Sequence, residues 1–157
     1  MKRKPLWASI GSVASVRDDA PGETIEDLAY ALAQNLRRCR VERELRKEMM
    51  DLLVLCEEFP PDGAGSNIVI RRLVQALEHF APPHSWFGRR SINSGSNESE
   101  WGYWPITEND ELPRLLLCAG SDMRYAGSDA YLVNDHGNVS CGRFDKRGRW
   151  HEYWSVV

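Results

Sequence analysis

The hydrophobic pattern of this chain changes its period close to Pro83, and this change limits the fold more than any other feature. Before this point, apolar residues recur every three or four positions, as on an amphipathic helix. After it, short apolar runs alternate with tight turns, as in β-strands. Helices first and strands last predict an α+β protein, because a parallel α/β sheet would need helices between its strands.

Residues 24–80 form the predicted helical part, with two or three helices. Thr24 and Asp27 resemble a capping box at the start of a stripe that continues to Leu36. A second stripe runs from Leu45 to Cys56, and no Gly or Pro separates the two. Residues 24–58 are therefore one long helix or two, and a break near Arg40 is favoured. Asn67 is the predicted N-cap of the third helix.

Residues 84–157 are predicted to form a loop and a small antiparallel meander. The predicted strands are 130–134, 139–144 and 149–157, after a short strand over 115–118. Gly137 and Gly148 supply the positive φ that the two hairpin turns need. Alternation along the last strand places Trp150 and Trp154 on one face. Three strands are marginal alone, so the meander is expected to pack on the helices.

Length and composition predict one globular domain over residues 1–157, in which 1–20 are a tail or a first strand. Of its residues, 42% are hydrophobic and 27% are charged, which is typical of a folded chain. The formal net charge of −3 gives no bulk attraction to nucleic acid. The four cysteines lack CxxC spacing and no segment has the length of a membrane span, which predicts a cytoplasmic protein with free thiols.

No cofactor or metal is predicted. The four histidines are far apart, and neither HExxH nor a phosphate-binding loop is present. Asp135 and His136 are the one candidate for acid–base chemistry, because a carboxylate can orient an imidazole. They lie in a predicted hairpin turn, where Asp and Gly serve the backbone. The chain is therefore not expected to be an enzyme, and a small enzyme with its site near this pair remains an alternative.

Residues 98–111 are acidic and aromatic, and they are the candidate protein-binding site. Aromatic rings dominate interface energetics, and acids among them suit a basic partner. The opposing interpretation is that the rings fill the interior and the acids are simply solvated. The candidate residues are Glu98, Glu100, Trp101, Tyr103, Trp104, Glu108, Asp110 and Glu111.

A basic stretch between residues 37 and 47 makes nucleic acid the alternative partner. Six cations in eleven residues could contact phosphates from one helix face. They could equally form a solvated face with i,i+4 ion pairs, such as Glu42 with Arg46. The candidate residues are Arg37, Arg38, Arg40, Arg43, Arg46 and Lys47.

Three segments in the second half resemble small accessory proteins of bacteriophages and prophages. They are HSWFGRRSINSGSNESEWGYWPI, YLVNDHGNVSCGRF and the terminal HEYWSVV, and together they cover about residues 84–157. Arg89 and Arg90 stand where such proteins would have a shorter, acidic or Gly-containing loop. The resemblance implies a class of protein and brings no known activity with it.

These observations together predict a phage- or mobile-element-type accessory protein of the host cytoplasm. It is expected to act by binding a host protein. One form of this hypothesis is an inhibitor of a host defence system, comparable with anti-CRISPR proteins. The sequence leaves the identity of the partner and the oligomeric state open.

Overall fold

The computed structural model describes residues 6–16, 19–58, 63, 65–92, 98–106, 114–117 and 127–156. The helices are α1 (Pro21–Arg38), α2 (Arg43–Glu58) and α3 (Ser66–Glu78). The strands are β1 (Gly11–Ser15), β2 (Ser85–Ser91), β3 (Ser99–Pro105), β4 (Arg114–Leu117), β5 (Asp129–Val133), β6 (Val139–Phe144) and β7 (Trp150–Val156). Helices followed by strands confirm the α+β class, and β1 confirms a first strand within residues 1–20.

The first helix begins earlier than its apolar stripe predicted. Pro21 opens α1, where its missing N–H is not needed for a helical bond. Ala20 is the N-cap and makes no side-chain capping bond, while Thr24 is buried inside the helix. The predicted capping box at Thr24 is therefore wrong. The predicted break near Arg40 is confirmed, because α1 ends at Arg38 and α2 starts at Arg43.

The third helix is also entered without a side-chain cap. It begins at Ser66 with Gly65 as the N-cap, so Asn67 lies inside the helix and the predicted cap is wrong. The Ser66 hydroxyl instead donates a hydrogen bond to the carbonyl of Gly63, 2.7 Å away. This bond orients the loop that leads into α3.

The chain divides into two compact units. The first comprises Met1–Ala81 and Trp86–Trp104, and the second comprises Pro82–Ser85 and Pro105–Val157. The sequence predicted one domain over residues 1–157, and the structure has these two units within it.

In the first unit, the helices share a buried cluster with a three-stranded sheet in the order β1-β3-β2. Ala14, Phe87 and Tyr103 bring one residue from each strand into the cluster that holds the helical stripes. Strand β1 pairs antiparallel with β3, and Gly11 lies opposite Tyr103. These three strands come from the first strand within residues 1–20 and from the region that the sequence predicted to be a loop.

The second unit contains a four-stranded sheet in the order β4-β5-β6-β7. Strands β5, β6 and β7 form the predicted antiparallel meander, with Tyr131 opposite Cys141 and Cys141 opposite Trp154. Strand β4 adds to its edge in parallel with β5, which the antiparallel prediction did not include. Ala130, Leu132 and Phe144 form a separate buried cluster with Trp150 packed against it.

A bulge in β7 separates the two tryptophans that the sequence placed on one face. Cys141 pairs with Trp154 whereas Gly142 pairs with Glu152, so β7 has one extra residue at this point. Trp150 therefore packs on Phe144, and Trp154 packs on Tyr131 of the opposite face. The prediction of a shared face is wrong, because an inserted residue breaks the two-residue period.

The two hairpin turns of the meander have the same construction, and both were predicted. Gly137 and Gly148 have φ values of 83° and 74°. Each turn begins with an Asx side chain that accepts two backbone N–H groups, from residues two and four positions later. Asn134 does this in the first turn and Asp145 in the second. Local chemistry therefore fixes both turns.

Candidate functional site

The structure places the predicted acidic aromatic site partly in the interior. Tyr103 is 1% exposed and belongs to the core of the first unit. Its hydroxyl donates to the carbonyl of Leu77 at 2.9 Å and accepts a bond from the Asn35 amide at 2.8 Å. A side chain held in this way offers no surface to a partner.

Trp104 is also buried, and it organises the other face of β3. Its indole N–H donates to the carbonyl of Gly88 at 2.9 Å, and the Arg90 guanidinium lies 5.3 Å from the centre of its ring. A Cβ on Gly102 would lie 2.6 Å from this ring. Gly102 therefore stands where an indole ring lies against the backbone and leaves no room for a Cβ.

The rest of the acidic aromatic stretch divides into two parts. Glu98 is exposed, and Glu100 and Trp101 are half-buried. Glu108, Asp110 and Glu111 lie outside the described residues. Among the residues of this prediction that the structure describes, three side chains reach the surface, and Trp101 is the aromatic one.

The six basic residues do not share one helix. They occupy the end of α1, the joint after it and the start of α2. The Arg46 guanidinium is half-buried and donates to the carbonyl of Leu36 at 2.7 Å, close to the end of α1. The other five cations are exposed: Arg37, Arg38, Arg40, Arg43 and Lys47.

The helices α1 and α2 run antiparallel. The bond from Arg46 to Leu36 joins them beside their connection. At the far end, Glu26 and Glu57 line one groove between the two helices. Residues near the start of α1 therefore lie beside residues near the end of α2, and the end of α1 lies beside the start of α2.

An eight-residue surface follows from this arrangement, and we call it the α1–α2 surface. Residues with the spacing i, i+4, i+7 and i+11 share one helix face. The antiparallel contacts set the two stripes side by side in four rows. The groove between the helices is lined by Glu26, Tyr30 and Ala33 of α1 and by Leu53 and Glu57 of α2. Helical spacing then gives the rows Glu26 with Glu57, Tyr30 with Leu53, Ala33 with Met50, and Arg37 with Arg46.

The middle of the α1–α2 surface is apolar and open. Tyr30 is 68% exposed and Met50 is 48% exposed. Val54, beside this stripe on α2, is 55% exposed. Large apolar side chains that are exposed side by side mark interaction sites more often than isolated ones do.

The two ends of this helical pair carry opposite charge. Residues 21–36 and 48–58 contain seven acids and no Lys or Arg. Residues 37–47 contain six Lys and Arg and two acids. The basic residues lie within one stretch of the sequence, whereas the acids of the two helices come together only when α2 folds back on α1.

Asp135 and His136 lie at the exposed tip of the first hairpin. Their side chains are 83% and 81% exposed, and the carboxylate oxygen lies 3.7 Å from the ring nitrogen. Catalytic groups need a pocket where several polar groups converge. Two solvated side chains on a turn do not form one, so this position gives no reason to place an enzyme site there.

A more closely connected polar cluster lies elsewhere in the second unit. The carboxylate of Asp129 is 2.7 Å from Nε2 of His84 and accepts a bond from the Tyr153 hydroxyl at 3.0 Å. The Arg143 side chain lies 3.6 Å from the same carboxylate and donates two bonds to the carbonyl of Gly127. His84 also stacks on the ring of Tyr153.

This cluster holds backbone segments in place. His84 has a φ of 59°, unusual for a non-glycine residue. Its carbonyl accepts from the N–H of Ile106, and its ring is held by Asp129. Sequence reasoning missed the pair, because 45 residues separate His84 from Asp129 and neither belongs to a motif.

The Tyr153 hydroxyl and the Cys141 thiol beside this cluster favour their neutral forms. Burial raises the pKa of Tyr153, and its bond to Asp129 raises it further. Burial, with the charge of Asp129, raises the pKa of Cys141 to about 12. A buried, protonated thiol is a poor nucleophile. The cluster can orient an imidazole, but Cys141 has no exposure through which to attack a substrate.

Within the described parts of the chain, no three His, Cys, Asp or Glu side chains lie close enough together to hold a metal ion. No helix there has the length and apolarity to cross a membrane. Comparison with protein-family models, curated proteins and solved structures finds no match to this chain. The resemblance to phage accessory proteins therefore stays a prediction.

Proposed function

We propose that this chain is a phage- or mobile-element-type accessory protein that acts by binding another protein, without catalysis of its own. The proposal includes inhibition of a host defence system, as anti-CRISPR proteins achieve it. Its main support is the α1–α2 surface, where Tyr30 of α1 and Met50 of α2 are both exposed. Burying such side chains against a partner yields about 25 cal/mol for each Å² of apolar area.

The acids at one end of the surface add selectivity to this apolar contact. Glu26 and Glu57 are both exposed and line the same groove. A partner segment with apolar side chains followed by Lys or Arg would match the apolar rows and the acidic row together. Complementary charge of this kind raises association rates and excludes acidic competitors.

The test is co-purification from bacterial lysate with matched variants of the tagged protein. Tyr30→Glu combined with Val54→Glu places one charge in the apolar rows and one beside them on α2. Ile68→Glu makes the same change on α3, where Ile68 is 64% exposed and outside the surface. A stoichiometric partner should be recovered with the wild type and with Ile68→Glu, and lost with the double variant.

Two results would count against the proposal. One is a partner that binds all three proteins equally, which would place its site elsewhere. The other is the absence of any stoichiometric partner in lysates of several bacterial hosts. If a partner is recovered and belongs to a defence system, restored phage infection with the wild type but not with the double variant would support the inhibitor form.

Nucleic acid binding is the second candidate, supported by the five exposed cations at the joint between α1 and α2. Five phosphate contacts would give a slope of log affinity against log salt of about −4.5. Fluorescence anisotropy with labelled DNA and RNA measures that slope. Arg40→Ala with Arg43→Ala should reduce its magnitude by about 2, and no binding at low salt would remove this candidate.

A further inference from the structure

The order of the charges along the α1–α2 surface makes it complementary to the same surface of a second copy. From one end to the other, both stripes pass from acid through two apolar residues to a base. On α1 the order is Glu26, Tyr30, Ala33, Arg37, and on α2 it is Glu57, Leu53, Met50, Arg46. Both helices therefore place their acid at the same end and their base at the other.

A twofold axis that passes between the second and third rows brings the acids of one copy opposite the bases of the other. If the axis lies in the surface and crosses the helices at right angles, α1 of one copy lies antiparallel on α1 of the other. Glu26 then faces Arg37 of the second copy, and Tyr30 faces Ala33, a large side chain against a small one. The same operation sets Glu57 opposite Arg46.

The other symmetric arrangement is unfavourable. An axis parallel to the helices would place α1 on α2 of the second copy with their acidic ends together. Glu26 would then meet Glu57, and Arg37 would meet Arg46. Like charges that face each other across an interface cost several kcal/mol. Of these two axes, charge favours the one that crosses the helices.

The available area sets the expected strength. Helix α2 has 16 residues and is about 24 Å long, and two adjacent helices are about 20 Å wide. Two such faces would together bury about 1,000 Å², which is at the low end of specific protein interfaces. A dimer of this size should exchange with monomer.

We propose that a second copy of this chain covers the α1–α2 surface, so that the protein is a weak C2 dimer in which Glu26 of each copy pairs with Arg37 of the other. Such an isologous contact uses the same patch twice. The dimer does not depend on the proposed host partner. A host protein that used this surface would have to compete with the second copy.

The test is sedimentation equilibrium or light scattering on the purified full chain between about 1 μM and 1 mM, the range of weak association. The wild type should pass from monomer to dimer as its concentration rises. Salt near 1 M, where the Debye length falls to about 3 Å, should shift this transition to higher concentration. Monomer at every concentration in low salt would overturn the proposal.

Charge exchange makes the test specific. Arg37→Glu alone or Glu26→Arg alone places like charges at two sites of the interface and should raise the dissociation constant by about tenfold or more. An equimolar mixture of the two variants should form a heterodimer, because each acid then faces a base again. If the mixture associates no better than either variant alone, the pairing is wrong.

Matched controls use neighbouring charges on the same helix. Asp27→Arg and Arg38→Glu make the same changes about 100° away from the stripe on exposed positions, and the dimer should persist in both. Ala33→Tyr, which changes no charge, should weaken the dimer by crowding Tyr30 of the second copy. Loss of the dimer in the two controls, or a normal dimer with Ala33→Tyr, would contradict the arrangement.

These results are separable from those of the lysate experiment. A dimer can form when no host partner exists, and a partner can be recovered when the pure chain stays monomeric. The first outcome would remove only the proposed function, and the second would remove only the self-association.

Discussion

The Tyr103 hydroxyl offers the sharpest test of the core of the first unit. Tyr103→Phe keeps the ring, which packs against Phe87 at 4.8 Å between ring centres. It removes the bond donated to the Leu77 carbonyl and the bond accepted from the Asn35 amide. The question is how much stability these two bonds contribute.

The magnitude depends on what the former partners do after the change. The carbonyl of Leu77 also accepts the N–H of Phe80 at 2.9 Å, so it is not left without a donor. Asn35 is half-buried, so water can reach its amide. Neither group pays the full cost of burial without a partner, about 1–3 kcal/mol each. Two ordinary bonds at about 1 kcal/mol each give a loss of about 2 kcal/mol.

Urea unfolding followed by tryptophan fluorescence measures this loss. Tyr30→Phe is the control, since Tyr30 is exposed and its substitution should change stability by less than about 0.5 kcal/mol. Asn35→Ala combined with Tyr103→Phe should lose about 1 kcal/mol less than the sum of the single changes, because the two share a bond. A loss below about 0.5 kcal/mol for Tyr103→Phe would show that the described bonds are not formed. A loss above about 4 kcal/mol would show that Leu77 and Asn35 lack the alternatives assigned to them.

Three further predictions concern the strands and the turns. Gly102→Ala should destabilise the chain by about 1–3 kcal/mol in the same urea assay, because its Cβ would lie 2.5 Å from the carbonyl oxygen of Gly11 and 2.6 Å from the Trp104 ring; an unchanged midpoint would refute this packing. The backbone N–H of Arg149, followed by the other donors around the carboxylate, lowers the pKa of Asp145 to about 2 from 3.8. The contribution of Asp145 to stability is therefore complete above pH 3.8 and is lost as the pH falls through about 2. An NMR titration that gives Asp145 an ordinary pKa would contradict the turn geometry. Burial raises the pKa of Tyr131 to about 12 from 10.0, so its contribution is complete below pH 10 and is lost as the pH rises through about 12; Tyr131→Phe should reduce the loss of stability over that range, and an identical alkaline profile would argue against its burial.

The parts of the fold that the sequence predicted correctly are those with local causes. Both hairpin turns need a glycine with positive φ after an Asx residue, and Gly137 and Gly148 occupy these places. The joint between α1 and α2 follows from a gap in the apolar stripe near Arg40. Each of these signals lies within a few neighbouring residues, so one sequence is enough to find it.

The errors in strand pairing and in the exposure of the aromatic rings share a nonlocal cause. Strand β3 pairs with β1, which places Tyr103 opposite Gly11 across more than ninety positions of sequence. The aromatic rings of this strand looked available for a partner, since no pattern near them shows what covers them. Likewise, the bulge that separates Trp150 from Trp154 depends on the register with β6, which the composition of β7 does not specify.

The dimer and nucleic acid binding both involve the basic joint between α1 and α2, so adding nucleic acid to the dimer tests the two hypotheses together. In the proposed dimer, Arg37 lies against Glu26 of the second copy, so a polyanion bound at the joint would remove that pairing. Nucleic acid should therefore dissociate the dimer if both hypotheses are correct, with binding and dissociation following the same concentration dependence. If nucleic acid binds while the dimer persists, the cations in use are those away from the stripe, such as Arg40 and Arg43. The basic stretch 37–47 thus has two candidate acidic partners, which are the glutamates of a second copy and the phosphates of nucleic acid. Arg37 cannot contact both of them at the same time.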